Sequence, residues 1–285
     1  MSDQALLVLK RLSVSFGETE VVHEIDLTIR AGERLALVGE SGSGKSTIGL
    51  SCLGLFRPGL TYVGGDIELE GSNLLGLPPR ELQSLRGRRV AYVAQSAAAS
   101  FNPAIKLNSQ VIEPSIAHGT RSASEALDRA ISLYATVRLP QPNQIGSRYP
   151  HEVSGGQLQR FMLAMGMLDA PALLVLDEPT SALDPIASEE ILSILHRLVH
   201  DLSVTVVLAE HRLERVIGFV DRILLIEGDG ATSIGSPEEI LKKTDLVPPI
   251  VRLTRALALE EVGTSTRDVR RITEKLRNEL PDSER

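Results

Sequence analysis

Short apolar runs, some of them alternating with polar residues, dominate the first ninety positions of the chain. Alternation with a period of two is typical of strands that bury one face. Gly17 and Ala31-Gly32 separate the runs and indicate turns. The predicted strands cover Leu6–Leu9, Ser13–Phe16, Asp26–Ile29, Arg34–Val38, Gly65–Glu70 and Arg89–Val93.

Strand patterns disappear between residues 96 and 170, where apolar positions recur at helical spacing. Further along, apolar strands and helical segments alternate, as in sheets whose parallel strands are joined by crossover helices. The pattern therefore predicts an α/β domain with a helical insertion. The predicted helices are Asn108–Ala117, Ser124–Val137, Gln157–Leu168, Ile186–Val199 and Leu213–Gly218, and the later strands are Leu173–Leu176, Ser203–Ala209 and Arg222–Ile226.

The domain boundaries follow from this pattern. The α/β domain is expected to span residues 1–245, with the insertion at about 96–170, and residues 246–285 are predicted to form a C-terminal helical extension. Pro248-Pro249 lies near the start of the extension. Within the extension, helices are predicted over Ile250–Leu259 and around the apolar face that runs from Val269 to Leu280.

Composition limits which partners the protein can bind and indicates the cellular compartment in which it works. The formal net charge of −7 argues against a nucleic acid held by a basic face. No apolar run approaches the ~18 residues that signal a membrane-spanning helix, and the segment after Met1 lacks the features of a signal peptide. The one cysteine, Cys52, cannot form an internal disulfide and is expected to be buried, which fits a reducing compartment.

A glycine-rich segment carries the strongest chemical signal. It follows the predicted strand ending at Val38 and should lead into a helix near Lys45. Backbone N–H groups of such a loop can wrap the β-phosphate of ATP, Lys45 can supply positive charge to the β/γ oxygens, and the Ser46 hydroxyl can ligate Mg²⁺. The predicted phosphate loop consists of Gly39, Glu40, Ser41, Gly42, Ser43, Gly44, Lys45, Ser46 and Thr47.

Two adjacent carboxylates end a predicted buried strand. The apolar run from Leu173 places Asp177 at the strand's carboxyl end, where parallel sheets bind their ligands. Asp177 is expected to hold Mg²⁺ through a water, and Glu178 can accept a proton from the attacking water.

A second anion site is predicted at Ser154-Gly155-Gly156-Gln157. A serine followed by two glycines, at the start of a predicted helix, exposes backbone N–H groups to an anion. The alternative is an ordinary helix N-cap with flexible glycines. A second anion site is redundant if one chain acts alone, because the phosphate loop already serves that purpose.

The fixed order of these motifs resembles that of ATP-binding-cassette (ABC) ATPases, and the resemblance runs from about Leu7 to about Leu241. It implies a P-loop NTPase cassette with a β-rich N-terminal part, a parallel-sheet core and a helical insertion. It also implies that Ser154–Gln157 caps the γ-phosphate of an ATP bound by a second cassette. Two ATP molecules would then lie at the interface of a homodimer or a heterodimer.

The resemblance also assigns roles to single residues. Gln95 matches the Q-loop residue, which touches Mg²⁺ or the water and takes part in catalysis. His211 matches the switch histidine, Ser181–Asp184 the D-loop, and Phe16 the aromatic residue that contacts adenine. The alternative is that Phe16 is a core residue, as a phenylalanine in a strand often is.

Two sets of segments resemble importer ATPases of different kinds. Residues 148–159 and Phe101-Asn102-Pro103 resemble oligopeptide, dipeptide and nickel importers, although Ser96 stands where that family usually has Asp. Residues 209–216 and 248–253 resemble energy-coupling-factor ATPases for vitamins and metal ions.

The importer resemblance implies several partners. These are separate integral-membrane permease subunits, a second ABC ATPase and, for a peptide/nickel importer, an extracytoplasmic substrate-binding protein. The chain would work peripherally at the cytoplasmic face of the inner membrane. Ala97-Ala98-Ala99 and Phe101 are expected to line the groove for a permease helix, unless Phe101 is core of the insertion.

Two other classes of protein remain as alternatives. A soluble ABC ATPase that acts on ribosomes or DNA ends would usually have two cassettes or long coiled coils, whereas this chain has one cassette. A P-loop kinase would have no need of Ser154–Gln157.

Overall fold

The computed structural model describes residues 5–181, 183–228 and 230–243. The predicted C-terminal extension, 246–285, lies outside them. The strands are β1 (Ala5–Phe16), β2 (Thr19–Arg30), β3 (Arg34–Gly39), β4 (Leu60–Leu69), β5 (Ser72–Asn73), β6 (Val90–Val93), β7 (Leu173–Asp177), β8 (Thr205–Glu210), β9 (Arg222–Ile226) and β10 (Thr232–Gly235). The helices are α1 (Lys45–Ser51), α2 (Pro79–Leu85), α3 (Ala97–Ser100), α4 (Leu107–Ala117), α5 (Ala123–Thr136), α6 (Pro142–Ile145), α7 (Gly155–Gly166), α8 (Pro185–Leu202), α9 (Leu213–Val216) and α10 (Pro237–Lys243).

A six-stranded sheet in the order β10-β9-β3-β8-β7-β6 forms the centre of the fold. Of its five strand pairings, four are parallel, and only the edge pair β10–β9 is antiparallel. All residues of β7 and β8 are buried, as expected for strands covered on both faces. The carboxyl ends of β3, β6, β7 and β8 therefore meet along one edge of the sheet.

Alternate residues of these strands enter two different hydrophobic cores. Ala36 and Val38 face one core, which continues into the helical insertion and α8. Leu35 and Leu37 face the other, which contains Cys52 of the segment after α1 and the N-terminal sheet. Because successive side chains of a strand point to opposite faces, the sheet packs against one layer on each side. The central sheet is thus the middle of three layers.

The N-terminal part forms a separate antiparallel sheet in the order β2-β1-β4-β5. The predicted strands Leu6–Leu9 and Ser13–Phe16 are parts of a single strand, because β1 runs unbroken from Ala5 to Phe16. A register shift between Leu9 and Leu12 interrupts its pairing with β2, and Arg11 adopts a left-handed φ of 47° there. This bulge breaks the alternation of apolar residues but not the strand.

The helical insertion is built around α4, α5 and α7. The rings of Tyr134 and Phe161 pack edge to face at 4.8 Å, and the Tyr134 hydroxyl donates to Asn108 Oδ1 at 2.9 Å. Phe101 is only 4% exposed and packs in the same core. The expectation that Phe101 offers an exposed anchor for a permease is therefore wrong, whereas Ala98 and Ala99 are exposed.

Several elements are not predicted by the sequence pattern. The helix α2 has no buried residue, and the polar edge strand β10 and the short α10 carry few apolar positions. Strand β4 begins at Leu60, five residues before the predicted start. Across the part of the chain that the structure describes, no helix is long and apolar enough to cross a bilayer.

Candidate nucleotide-binding site

The glycine-rich loop joins the end of β3 to the start of α1, as the sequence predicts. Gly42 and Gly44 have φ angles of 87° and 90°, in the left-handed region that favours glycine. A Cβ on Gly44 would lie 2.7 Å from the carbonyl oxygen of Val21. A Cβ on Gly39 would lie 2.5 Å from the carbonyl oxygen of Ile226. The close approach of backbone to backbone thus requires both glycines.

Lys45 lies at the base of this loop and is 4% exposed. Its ammonium donates to the carbonyl oxygens of Gly39, at 2.9 Å, and Glu40, at 2.5 Å. Burial lowers the pKa of Lys45, and the nearby carboxylates of Glu178 and Asp177 act in the opposite direction. The loop therefore encloses a cation that, among the described residues, hydrogen-bonds to the loop backbone.

Asp177 is held at the carboxyl end of β7 by three side chains. Ser46 Oγ donates to Asp177 Oδ1 at 2.8 Å, and the Tyr92 hydroxyl donates to Asp177 Oδ2 at 2.7 Å. Arg57 Nη2 lies 3.6 Å from the same Oδ2. Burial, followed by the hydrogen bond to Asp177, raises the pKa of Tyr92 and keeps its hydroxyl a donor.

Sequence reasoning missed Tyr92 and Arg57. Tyr92 reaches Asp177 because β6 pairs with β7 and places Tyr92 beside Val175. These strands are about eighty residues apart in sequence, and no local sequence pattern predicts that they pair. Arg57 comes from the loop after α1, where it lies in the same pocket as the phosphate loop.

Glu178, Gln95 and His211 meet beside Asp177. Gln95 Nε2 donates to Glu178 Oε2 at 2.8 Å, and His211 Nδ1 lies 3.9 Å from the same oxygen. Glu178 has a φ of 43°, an uncommon conformation for a residue other than glycine, while its N–H donates to the Ala209 carbonyl at 2.9 Å. Such strained residues cluster at functional sites.

One pocket of about 580 Å³ brings most of the predicted nucleotide-binding residues together. The Phe16 side chain, 58% exposed, forms one wall, so it is not a core residue. The volume lies in the range typical of small-molecule sites. The predicted residues that line the pocket are Phe16, Ser41, Gly42, Gly44, Lys45, Ser46, Thr47, Gln95 and Glu178.

Ser154–Gln157 lies in a different pocket. Ser154 caps α7: its Oγ accepts from the Gln157 N–H at 3.2 Å, while Gln157 Oε1 accepts from the Ser154 N–H at 3.0 Å. Gly155 is exposed, and a Cβ built on it would meet nothing within 4 Å. Leu183 and Asp184 share this second pocket. Within one chain, the two predicted anion sites therefore remain separate.

The donor set fits a magnesium nucleotide. The Ser46 hydroxyl and the Asp177 carboxylate offer the oxygen ligands that Mg²⁺ prefers, 2.8 Å apart. Among the described residues, buried Ser43 Oγ has no hydrogen-bond partner, which leaves a polar group of the loop unsatisfied. A strand, a glycine-rich loop and a helix arranged in this way define a P-loop nucleotide-binding protein.

Comparison with known proteins extends this assignment. Residues 22–181 match the protein family described as ABC transporter. The oligopeptide transport ATP-binding protein OppD of Escherichia coli (strain K12) is 33% identical over 240 residues, which are 83% of this chain and 71% of that protein. A putative peptide import ATP-binding protein of Brucella melitensis biotype 1 is 37% identical over 225 residues, covering 78% and 68%. The chain belongs to the ABC transporter family, as an ATP-hydrolysing subunit of the importer type.

Solved structures agree with this assignment. The ATP-binding cassette MJ0796, in a dimeric post-hydrolysis state bound to ADP and Pi, matches with a TM-score of 0.70 and 26% identity, covering 81% of this chain and 98% of that one. The cassette cbiO1 from Clostridium perfringens, part of an ABC transporter complex, matches with a TM-score of 0.72, covering 89% and 100%. At 21% identity, the second likeness shows the fold alone.

Proposed function

We propose that this chain hydrolyses ATP to energise peptide uptake through a separate membrane permease. The observation that carries the proposal is the meeting of Gln95, Glu178 and His211 beside the phosphate loop. It is supported by the relatives named for oligopeptide transport and peptide import. The chain would work peripherally, at the cytoplasmic face of the inner membrane.

ATP is bound between Phe16 and the phosphate loop in this proposal. Phe16 contacts the adenine ring, and the loop N–H groups and Lys45 contact the phosphates. Ser46, Asp177 and Gln95 would hold Mg²⁺, whose charge offsets that of the β and γ oxygens when it is bound. Tyr92 supports the ion site indirectly, because its hydroxyl fixes the Asp177 carboxylate.

Glu178 is the proposed general base. Its carboxylate borders the phosphate pocket and accepts a hydrogen bond from Gln95, which limits its rotation. A carboxylate held in this way can take a proton from a water placed in line with the γ-phosphate. His211, close to Glu178, helps to position that water or the phosphate oxygen.

A second cassette completes each site in this proposal. Ser154–Gln157 opens to the surface at the N-terminus of α7, away from the phosphate loop of its own chain. Its exposed N–H groups can therefore serve an ATP bound by another chain. Support comes from the dimeric cassette that resembles this chain. A second copy of the chain is the proposed partner.

The remaining partners follow from the proposed peptide uptake. Permease subunits would contact exposed Ala98 and Ala99, which are small enough for a helix to approach closely. An extracytoplasmic substrate-binding protein would deliver the peptide. Vitamin or metal-ion uptake of the energy-coupling-factor kind receives less support, because the relatives described above are named for oligopeptide transport and peptide import.

Variants of Glu178 and Lys45 test the proposed chemistry. Glu178→Gln should keep ATP affinity and lower turnover by roughly 10²–10⁴-fold, the scale for losing a general base. Lys45→Ala should lose nucleotide affinity instead, because a buried cation at the phosphates is removed. Nucleotide titration and steady-state turnover of the full chain distinguish the two effects.

The exposed Glu214 on α9 provides a matched control. Glu214→Gln makes the same chemical change outside the pocket and should leave affinity and turnover at the parent values. If Glu178→Gln hydrolyses ATP as fast as this control, the proposed base is wrong.

A further inference from the structure

A buried carboxylate next to His211 has no part in the chemistry described so far. Glu210 ends β8 and is 0% exposed. Its Oε1 accepts a hydrogen bond from Thr180 Oγ1 at 2.5 Å. Its Oε2 is buried and, among the residues that the structure describes, has no hydrogen-bond partner. A buried charged oxygen without a partner is costly, so a donor is expected close by.

His211 supplies a donor that faces this oxygen. Its Nδ1 lies 3.9 Å from Glu210 Oε2 and 3.9 Å from Glu178 Oε2. The two carboxylate oxygens differ in their other partners, because Glu178 Oε2 already accepts from Gln95 at 2.8 Å. The unsatisfied oxygen is that of Glu210. A movement of the imidazole by about 1 Å would bring Nδ1 within hydrogen-bond distance of it.

We propose that Glu210 is a positioning residue that holds a proton on Nδ1 of His211. A carboxylate only accepts hydrogen bonds, so the ring nitrogen that faces it must carry hydrogen. Nε2 then points away from the core. In a neutral ring it accepts a hydrogen bond, as from a water, and in a protonated ring it donates one, as to a phosphate oxygen. While Glu210 is ionised, the form protonated on Nε2 alone is excluded.

The surroundings of Glu210 keep its carboxylate in one orientation. Arg215 Nη1 donates to Thr180 Oγ1 at 3.1 Å and to the Thr180 carbonyl at 3.3 Å, so Arg215 fixes the threonine that holds Glu210 Oε1. The cluster joins β8 and α9 to the segment that follows Glu178. Burial raises the pKa of Glu210, and the charges of Arg215 and His211 counteract this.

The tautomer of His211 tests the proposal directly. The ¹⁵N and ¹³C chemical shifts of the six histidines of the full chain can be recorded without nucleotide, with the His211 signals assigned by their loss in His211→Ala. Wild-type His211 should carry hydrogen on Nδ1. In Glu210→Gln, the amide oxygen can still accept from Thr180, whereas the NH₂ group faces Nδ1 as a donor. His211 should then change to the Nε2–H form.

Glu178→Gln is the matched control for this measurement. It makes the same change in a carboxylate at the same 3.9 Å distance from Nδ1. It should leave the proton on Nδ1. An unchanged tautomer in Glu210→Gln, or the same change in both variants, overturns the proposal. Thermal unfolding of Glu210→Gln, which is isosteric with the parent, establishes that the variant is folded.

A double-mutant cycle shows whether Glu210 acts through His211, and it rests on the proposed ATPase function. Glu210→Gln should lower kcat by about 10–100-fold, the scale for losing an orienting partner, with KM for ATP changed little. In a His211→Ala background it should cause no further loss. Losses that multiply would instead indicate a general structural role and contradict the proposal. Absent turnover in the parent would contradict the proposed function, whereas the tautomer measurement stands without turnover.

Discussion

Charged residues of this site are held by hydrogen bonds that are buried or partly buried. Lys45 bonds to carbonyls of its own loop, Asp177 accepts from Ser46 and Tyr92, and Glu210 accepts from Thr180. Each arrangement fixes one charged group before a nucleotide arrives. Preorganised charge of this kind is the usual source of electrostatic catalysis.

The buried charge of Glu210 predicts a pH-dependent cost in stability. Because burial raises the pKa of Glu210 above its ordinary 4.5, the folded chain binds this proton more tightly than the unfolded chain does. The stability that this proton gives the folded chain is complete when the pH is below the ordinary pKa. It is lost as the pH rises through the raised pKa of the folded chain. Glu210→Gln stays neutral. The free energy of unfolding of Glu210→Gln, relative to that of the parent, should therefore increase from about pH 4 to about pH 8.

Chemical denaturation of both proteins at the two pH values measures this difference. The exposed Glu214 gives the control: Glu214→Gln should show a difference that changes much less with pH. If the difference for Glu210→Gln does not grow with pH, Glu210 does not carry a destabilising charge.

Secondary-structure elements bring together residues that are distant in sequence. The strand order places β8 between β3 and β7, so Glu210 lies next to the end of the strand that carries Asp177. Helix α7 is anchored in the insertion by Phe161, while its N-terminus presents Ser154 to the surface. The insertion must therefore be well packed for the Ser154 segment to keep its place.

Phe101 tests the packing of the insertion. Phe101→Ala should lower the free energy of unfolding by about 3–5 kcal/mol, because it leaves a cavity in a buried core. Ile105, an exposed apolar residue four positions later, is the control. Ile105→Ala should cost well under half as much in the same denaturant titration, and equal losses would show that Phe101 is not part of the core.

Local patterns in the sequence predict the elements and motifs that depend on neighbouring residues. The phosphate loop, the Ser154 cap of α7 and the buried strand ending at Asp177 are all of this kind. Contacts that depend on strand order are not predictable in this way. Tyr92 reaches Asp177, and Thr180 reaches Glu210, only because of the order in which the strands pair.

At the scale of the whole molecule, the two anion sites lie in separate pockets of one chain. The phosphate loop belongs to the core that contains β3 and α1, and the Ser154 segment belongs to the insertion. In the proposed dimer, the phosphate loop of one chain faces the Ser154 segment of the other, so that ATP holds two chains together and hydrolysis separates them. The closing of two cassettes would then be transmitted to a permease through the insertions.

Mixing two inactive variants tests this central claim most directly. Lys45→Ala removes the cation from the phosphate loop, and Gly155→Asp places a carboxylate where a γ-phosphate is expected, so dimers of either variant alone have no intact site. A mixed dimer has one intact site, formed by the loop of the Gly155→Asp chain and the Ser154 segment of the Lys45→Ala chain. An equimolar mixture should therefore recover about a quarter of the parent ATP turnover, because half of the dimers are mixed and each has one site of two. A mixture that stays inactive would contradict the pairing of two copies, and parent-level turnover by Gly155→Asp alone would contradict the two-sided site.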